Sequence, residues 1–314
     1  MMQEKWDKVI EAAKLYYLLD YNQNDIAGIL GVSRPTVSRM LKMAKEEGIV
    51  QITIRDNGTN SEEQAKAIQE KYGLKKVIVT TIPQYQDLTI KSHLGQSAAE
   101  YLNSIVKDGD IIGVTWGTTV YHTAVELKQT SVKDVTVVQL KGGVSHSETN
   151  TYASEILYLF GKAFNTTPLN LPLPAIVDHV VVKQAVMADR HIGRTIQTGK
   201  NANIALFTCG PIKHDSLLFQ LGYFTDEDLE MIDNKAVGDI CSRFFDENGQ
   251  ICNPSLNERT LGIDLVELKQ KEYSILIAGG AQKVESISAA LKGKFANVLI
   301  TDQFTAQMLL EMKL

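Results

Sequence analysis

The chain has 314 residues, 44 % of them hydrophobic and 22 % charged, with a formal net charge of -5 at pH 7. Those proportions exclude a disordered or fibrous chain, and a single core of this size would be unusual, so two domains are expected. Cys209, Cys241 and Cys252 lack a C-x-x-C pairing and the six histidines lack an H-E-x-x-H spacing, which leaves no common zinc or redox-dithiol motif; no cofactor or metal is expected.

The opening stretch MMQEKWDKVIEAAKLYY has no apolar centre of signal-peptide type, and no run approaches the roughly 18 apolar residues of a membrane span. A cytoplasmic protein without membrane contact is therefore expected. Val9, Ile10, Ala13, Tyr16 and Tyr17 make Trp6 to Leu19 an amphipathic helix. Two short helices follow, carried by Ile26, Ile29 and Leu30 and by Val37, Met40 and Leu41, with Gly31-Val32-Ser33 between them. Gly31 can adopt the left-handed conformation that ends the first, Ser33 can cap the second, and Pro35 is tolerated in its first turn. Ala27 is small where the helices would cross. This is the layout of a helix-turn-helix.

In that layout Ser33, Arg34, Thr36, Ser38, Arg39 and Lys42 lie outward or near the start of the second helix, where they can reach DNA. Between Gly31 and Lys45 there are four cations, Arg34, Arg39, Lys42 and Lys45, and no acid. Setting this +4 against the total of -5 leaves -9 on the rest of the chain, so the acidity belongs to the other domain. Affinity for DNA would come from phosphate contacts and specificity from a few hydroxyl and guanidinium contacts with base edges. Beyond the helix-stopping Gly48, GIVQITIRD reads as one short strand, half of what a winged module needs. The polar stretch from Asp56 to Gln64 is the expected linker, and a helix is expected from Glu62 to Tyr72.

From Lys75 onward the runs KVIVTTI, DIIGVTWG, VTVVQLKGG, NIALFTCG, YSILIAGG and NVLITD each precede a helical pattern, the signature of a largely parallel sheet covered on both faces. Ligands of such sheets sit beyond the carboxyl ends of the strands. The expected crevice is built from 115–119, 141–145, 208–211 and 279–283. In TWGTT the amides of Gly117, Thr118 and Thr119 can point at an anion at a helix N-terminus, with two hydroxyls beside them. GGAQK repeats the layout with Lys283. Either loop alone is equally well a tight strand-to-helix turn; two in one sheet favour phosphate. Lys141 ends an apolar strand before Gly142 and Gly143, where partial desolvation would lower its pKa. It is either a polar contact for a sugar or phosphate oxygen, or a nucleophile that forms a Schiff base with an open-chain sugar phosphate. In GDICSRFFD, Asp239 can bind sugar hydroxyls or cap a helix, and Arg243 and Asp246 add polar groups. His146 reads as part of an ordinary polar loop.

The stretches SRPTVSRMLKMAKEEGIV, GVTWGTT, QLKGG, GDICSRFFD and ILIAGGAQKVESISAAL together resemble the SorC-type family of bacterial transcriptional regulators, over nearly the whole chain and in the family's order. The resemblance implies an α/β organisation: a small all-α helix-turn-helix head at 1–55, and a Rossmann-like, mainly parallel domain at 56–314 that resembles sugar-phosphate isomerases and deaminases, binds effector and forms oligomers. It implies a repressor, not an enzyme, that acts as a homo-oligomer, dimer or tetramer, on operator DNA and is released by a phosphorylated sugar. By the same analogy Gly117, Thr118 and Thr119 hold phosphate, the strand end contributes Gln139, Lys141, Gly142 and Gly143, Asp239 contacts the sugar, and Gly280 and Lys283 form a second phosphate loop. The segment TCGPIKHD has no arginine where some bisphosphate-binding relatives place a cation, which favours a monophosphate. The branch of the family concerned with deoxyribonucleosides is the most similar, and it implies deoxyribose 5-phosphate, whose aldehyde suits a Schiff base on Lys141. Other sugar monophosphates, an isomerase-like or aldolase-like enzyme with a DNA-binding head, and a DNA-bound protein whose second domain only oligomerises are the competing expectations; no acid/base pair beside Lys141 completes a catalytic cycle.

Overall fold

The computed structural model describes residues 2–46, 49–50, 59–143, 151–214, 216–220 and 222–313. The chain divides into two compact units, Met1–Asp56 and Asn57–Leu314. Helices α1 (Met2–Tyr17), α2 (Gln23–Leu30) and α3 (Arg34–Glu46) form the first. Asn22 caps α2 by accepting from the amides of Asn24 and Asp25 at 3.0 and 3.1 Å. Gly31 ends it at φ 63°, ψ 38°, a conformation that favours glycine. Val9, Ala12, Ile26, Val37 and Ala44 are fully buried between the three helices, so a very small core orients α3. The strand expected after Gly48 falls largely on 51–56, outside the described residues.

The second unit alternates strands and helices in the order α4 (Thr59–Tyr72), β1 (Lys76–Thr80), α5 (Asp87–Ile105), β2 (Ile111–Val114), α6 (Thr118–Glu126), β3 (Thr136–Gln139) and α7 (Ala153–Ala163). Then come α8 (Val180–Met187), α9 (Arg190–Asn201), β4 (Ile204–Phe207), α10 (Leu217–Gln220), α11 (Asp226–Lys235) and a hairpin of β5 (Gly238–Ile240) and β6 (Arg243–Phe245). The chain closes with α12 (Pro254–Arg259), α13 (Leu265–Leu268), β7 (Tyr273–Ile277), a 3-10 turn (Ala281–Lys283), α14 (Val284–Lys292), β8 (Val298–Asp302) and α15 (Gln303–Glu311).

The six apolar runs are the six strands of one parallel sheet, ordered β1-β8-β7-β4-β2-β3. Their continuous hydrophobicity follows from burial on both faces. Ala205, Phe207, Leu276 and Leu299 pack with Ile68, Ile287 and Leu309 on one side. Ile204, Leu206, Ile275, Ile277 and Ile300 pack with Leu94, Val120 and Phe160 on the other. Lysines secure two helix ends: Lys71 donates to the carbonyls of Leu309, Leu310 and Met312 at the end of α15, and Lys271 to those of Gly199 and Lys200 in α9.

The β5–β6 hairpin has no counterpart in the sequence expectation, which read GDICSRFFD only as a source of polar groups. Cys241 and Ser242 turn it with φ of 56° and 62°, a left-handed pair rarely built without glycine. Arg243 is 1 % exposed and donates to the carbonyls of Asn257, Thr260, Gly262 and Ile263, while pairing with Asp264 at 2.7 Å. It is a clamp on the 257–264 segment and not a ligand group. Asp246 accepts from the amides of Asn248 and Gln250 and closes a turn.

Candidate functional site

On α3, Val37, Leu41 and Ala44 face the core, which turns Arg34, Ser38, Arg39 and Lys42 out to solvent. Ser33 is exposed and Thr36 half-buried; their hydroxyls share a 2.8 Å hydrogen bond and Ser33 Oγ accepts the Thr36 amide at 3.4 Å. Those two hydroxyls therefore define the helix start as well as presenting polar atoms outward. The result is a short basic face without acids, of the kind that meets phosphates and base edges.

In the other unit, β2 lies between β3 and β4. The chain leaves β2 for β3 on one side, whereas β4 leads to the strands on the other, so the two connections diverge and open a crevice at the strand ends. A cavity of about 310 Å³ occupies that place. Three loops form most of it: Trp116 to Thr119 after β2, Thr208 to Pro211 with Lys213 after β4, and Lys283 after β7. Lys141 and Asp239 complete the wall.

The α6 N-terminus opens on this cavity. Gly117 precedes the helix at φ 138°, and the first-turn amides of Thr118 and Thr119 have no i-4 partner inside a helix, so they are available to an anion. Lys283 adds a positive charge and donates to Thr208 Oγ1 at 3.2 Å. Lys213 also lines the cavity and donates to Gln282.

Lys141 is 7 % exposed and its Nζ sits 3.5 Å from the centre of the Trp116 ring. Burial pushes its pKa below the ordinary lysine value, and the charges of Asp239 and Cys241 oppose that shift. Burial moves the Asp239 carboxyl up, against the pull of Lys141, the Ser242 amide and Lys283. Lys283 is likewise lowered by burial, with Cys209 pulling the other way. In each of the three, burial outweighs the charges around it and shifts the group toward its neutral form. The arrangement presents an anion cradle at one helix N-terminus and, on the same cavity, a desolvated amine beside a carboxyl group.

Of the residues expected there, Gly117, Thr118, Thr119, Lys141, Asp239 and Lys283 come together. Gln139 does not: its amide donates to the Lys141 carbonyl at 2.7 Å and its oxygen accepts from Leu171 at 3.2 Å, which ties β3 to the following segment. Gly142 and Gly143 are not among the residues that line the cavity. A Cβ on Gly142 would stand 2.2 Å from the Pro174 carbonyl oxygen, so this glycine admits protein backbone. The Gly280 amide donates to Thr305 Oγ1 at 2.7 Å and the Ala281 amide to the Tyr85 hydroxyl, so the expected second phosphate loop has its first amides engaged, and Lys283 is its residue on the cavity lining. His146 and 144–145 of the expected crevice lie outside the described residues. Lys213, Thr151, Ser216 and Leu218 were not anticipated as lining. For Lys213 a signal existed: a cation two residues after Gly210-Pro211, which follow a strand end. That segment, which has no arginine, thus places a lysine on the cavity lining.

Residues 56–311 match the family model described as "Putative sugar-binding domain", and residues 7–58 match the Crp-like helix-turn-helix domain. The chain is 51 % identical to the deoxyribonucleoside regulator of Bacillus subtilis (strain 168), over 98 % of this chain and 99 % of that one. It is 31 % identical to the sorbitol operon regulator of Klebsiella pneumoniae, over 96 % and 97 % of the two chains. The crystal structure of that full-length regulator, SorC, is similar with a TM-score of 0.73 at 29 % identity, covering 98 % of this chain and 99 % of that one.

Proposed function

The chain belongs to the SorC-type family of sugar-binding transcriptional regulators, and from that premise we propose that it represses genes of deoxyribonucleoside use until deoxyribose 5-phosphate releases it from operator DNA. The observation that carries this reading is the shared cavity of a buried lysine and a helix N-terminus whose first amides have no partner among the described residues. The phosphate is held by the amides and hydroxyls of Thr118 and Thr119 with Lys283, since charge-assisted bonds are the strongest the crevice offers. Asp239 takes a sugar hydroxyl. Phosphorylation of the 5-hydroxyl prevents closure to a six-membered ring and leaves an accessible aldehyde. Lys141 Nζ, as the neutral amine, attacks that carbon; the carbinolamine loses water and leaves an imine. The relatives are named as regulators, which supports binding without turnover. The protein works as a homo-oligomer in the cytoplasm, where paired heads read operator half-sites through Arg34, Ser38, Arg39 and Lys42.

Incubation with deoxyribose 5-phosphate and borohydride, followed by peptide mapping, is expected to place the reduced sugar phosphate on Lys141. Lys141→Arg keeps operator binding and loses both adduct and release. Calorimetry with deoxyribose is expected to give far weaker binding than with its 5-phosphate; equal affinities refute the phosphate cradle. Effector and operator must weaken each other by the same factor, because a ligand shifts an equilibrium only by its differential affinity. Tighter operator binding with effector present reverses the repressor assignment.

A further inference from the structure

We propose that Trp116 is the positioning residue for Lys141: its indole face holds the lysine ammonium against the crevice wall and suppresses its reactivity as an amine until a ligand draws it away. The inference rests on the reading of Lys141 as the effector-facing group only for its biological consequence; the contact itself is geometric. Lys141 Nζ stands 3.5 Å from the ring centre, well inside the range over which a ring attracts a cation. Both side chains are nearly buried, at 7 % and 8 % exposure, so water screens the attraction little. The ring is fixed as well as close. Its Nε1 donates to the Gly142 carbonyl at 2.7 Å, and Gly142 is itself pressed against Pro174. Among the described residues Lys141 Nζ has no hydrogen-bond acceptor, so the ring face is its principal polar contact.

The attraction acts on the ammonium and vanishes for the neutral amine. Trp116 therefore favours the protonated form, together with Asp239 and Cys241 of the β5–β6 hairpin, while burial opposes it; Lys283 and Lys213 are the other cations that line the cavity. A ligand that takes up the amine must first outcompete the ring. This gives the crevice a resting state in which the nucleophile is guarded against adventitious aldehydes.

The test is reductive methylation of the full-length protein with formaldehyde and cyanoborohydride near pH 7.5, read lysine by lysine by mass spectrometry. Trp116→Leu is expected to label Lys141 about 3- to 30-fold faster than wild type, and Trp116→Phe, with a weaker ring, to fall between. Lys283 and Lys271 keep their wild-type rates. Equal Lys141 rates in all three proteins overturn the proposal, and so does a parallel rise at Lys283 and Lys271, which marks general loosening. A second measurement leaves Trp116 in place. The chain has two tryptophans, so Trp6→Phe leaves Trp116 as the sole tryptophan, excited selectively at wavelengths beyond tyrosine absorption. Adding Lys141→Met is expected to change its emission; an unchanged spectrum overturns the contact. If deoxyribose 5-phosphate leaves the emission unaltered while Lys141→Met and the methylation rates behave as expected, the ring contact stands and the effector reading falls.

Discussion

Replacing Gly142 by alanine isolates one close approach on which the crevice depends. The added Cβ would lie 2.2 Å from the Pro174 oxygen, 2.6 Å from its carbonyl carbon and 2.9 Å from the Ala175 Cα, all backbone atoms that no rotamer change can move. The facing segments are bound by Gly143 N–H to Leu173 at 2.7 Å, Ala175 N–H to Gly143 at 2.9 Å and Gly142 N–H to Leu261 at 3.2 Å. Reaching ordinary contact requires a separation of about 1 Å, enough to break one or two of these buried bonds. The expected cost is about 2–4 kcal/mol, from overpacking and from buried groups left unpaired. For a unit of this size that lowers the melting midpoint by roughly 5–15 °C. Gly143→Ala is the matched control, because among the described residues its Cβ would meet only the Leu173 oxygen at 3.9 Å. Thermal unfolding followed by circular dichroism separates the two. Equal midpoints for both variants, or a Gly143→Ala loss as large as that of Gly142→Ala, refute the packing argument.

Arg39→Ala is expected to weaken operator binding by about 1–3 kcal/mol if the guanidinium reads a guanine, while Lys42→Ala weakens binding to operator and scrambled DNA alike. Gel shifts on both duplexes decide, and unchanged operator affinity removes Arg39 from the recognition face. Lys141 adds a pH dependence. Its folded pKa lies below the ordinary lysine value because of burial, so the unfolded chain binds more protons between the two values and stability rises with pH across that window. The rise, measured by denaturant unfolding from pH 7 to 10, is expected to shrink in Lys141→Met; an identical slope in both proteins rules out Lys141 as its source.

Much of this architecture was legible because its signals are local. The six apolar runs carry period and length enough to be strands, and Gly31, Ser33 and Pro35 fix the turn between α2 and α3 by backbone chemistry alone. The helix start that opens on the cavity was equally legible at TWGTT, since a strand end followed by a glycine and a helical pattern suffices to place it. The second loop, GGAQK, has the same local grammar and a different outcome. Thr305 on α15 and Tyr85 in the loop after β1 take its first amides. No reading of residues 279–283 contains that information.

By itself the sequence determined which segments become strands and helices, which faces they bury, and that a basic stretch without an acid, Arg34 to Lys45, sits on an otherwise acidic chain, because backbone preference and hydrophobic period are properties of neighbouring residues. The tertiary structure decided the rest. It set β1 beside β8, with Lys76 opposite Val298, and opened the crevice where the paths from β2 and β4 part. It put Lys141 on Trp116, brought Lys213 to the cavity, and gave Gly142 to Pro174 instead of to a ligand. Each of those is a contact between residues distant in the chain, chosen by how the layers fit in space, and a periodicity that tells a side chain which way to face does not tell it what it will meet there.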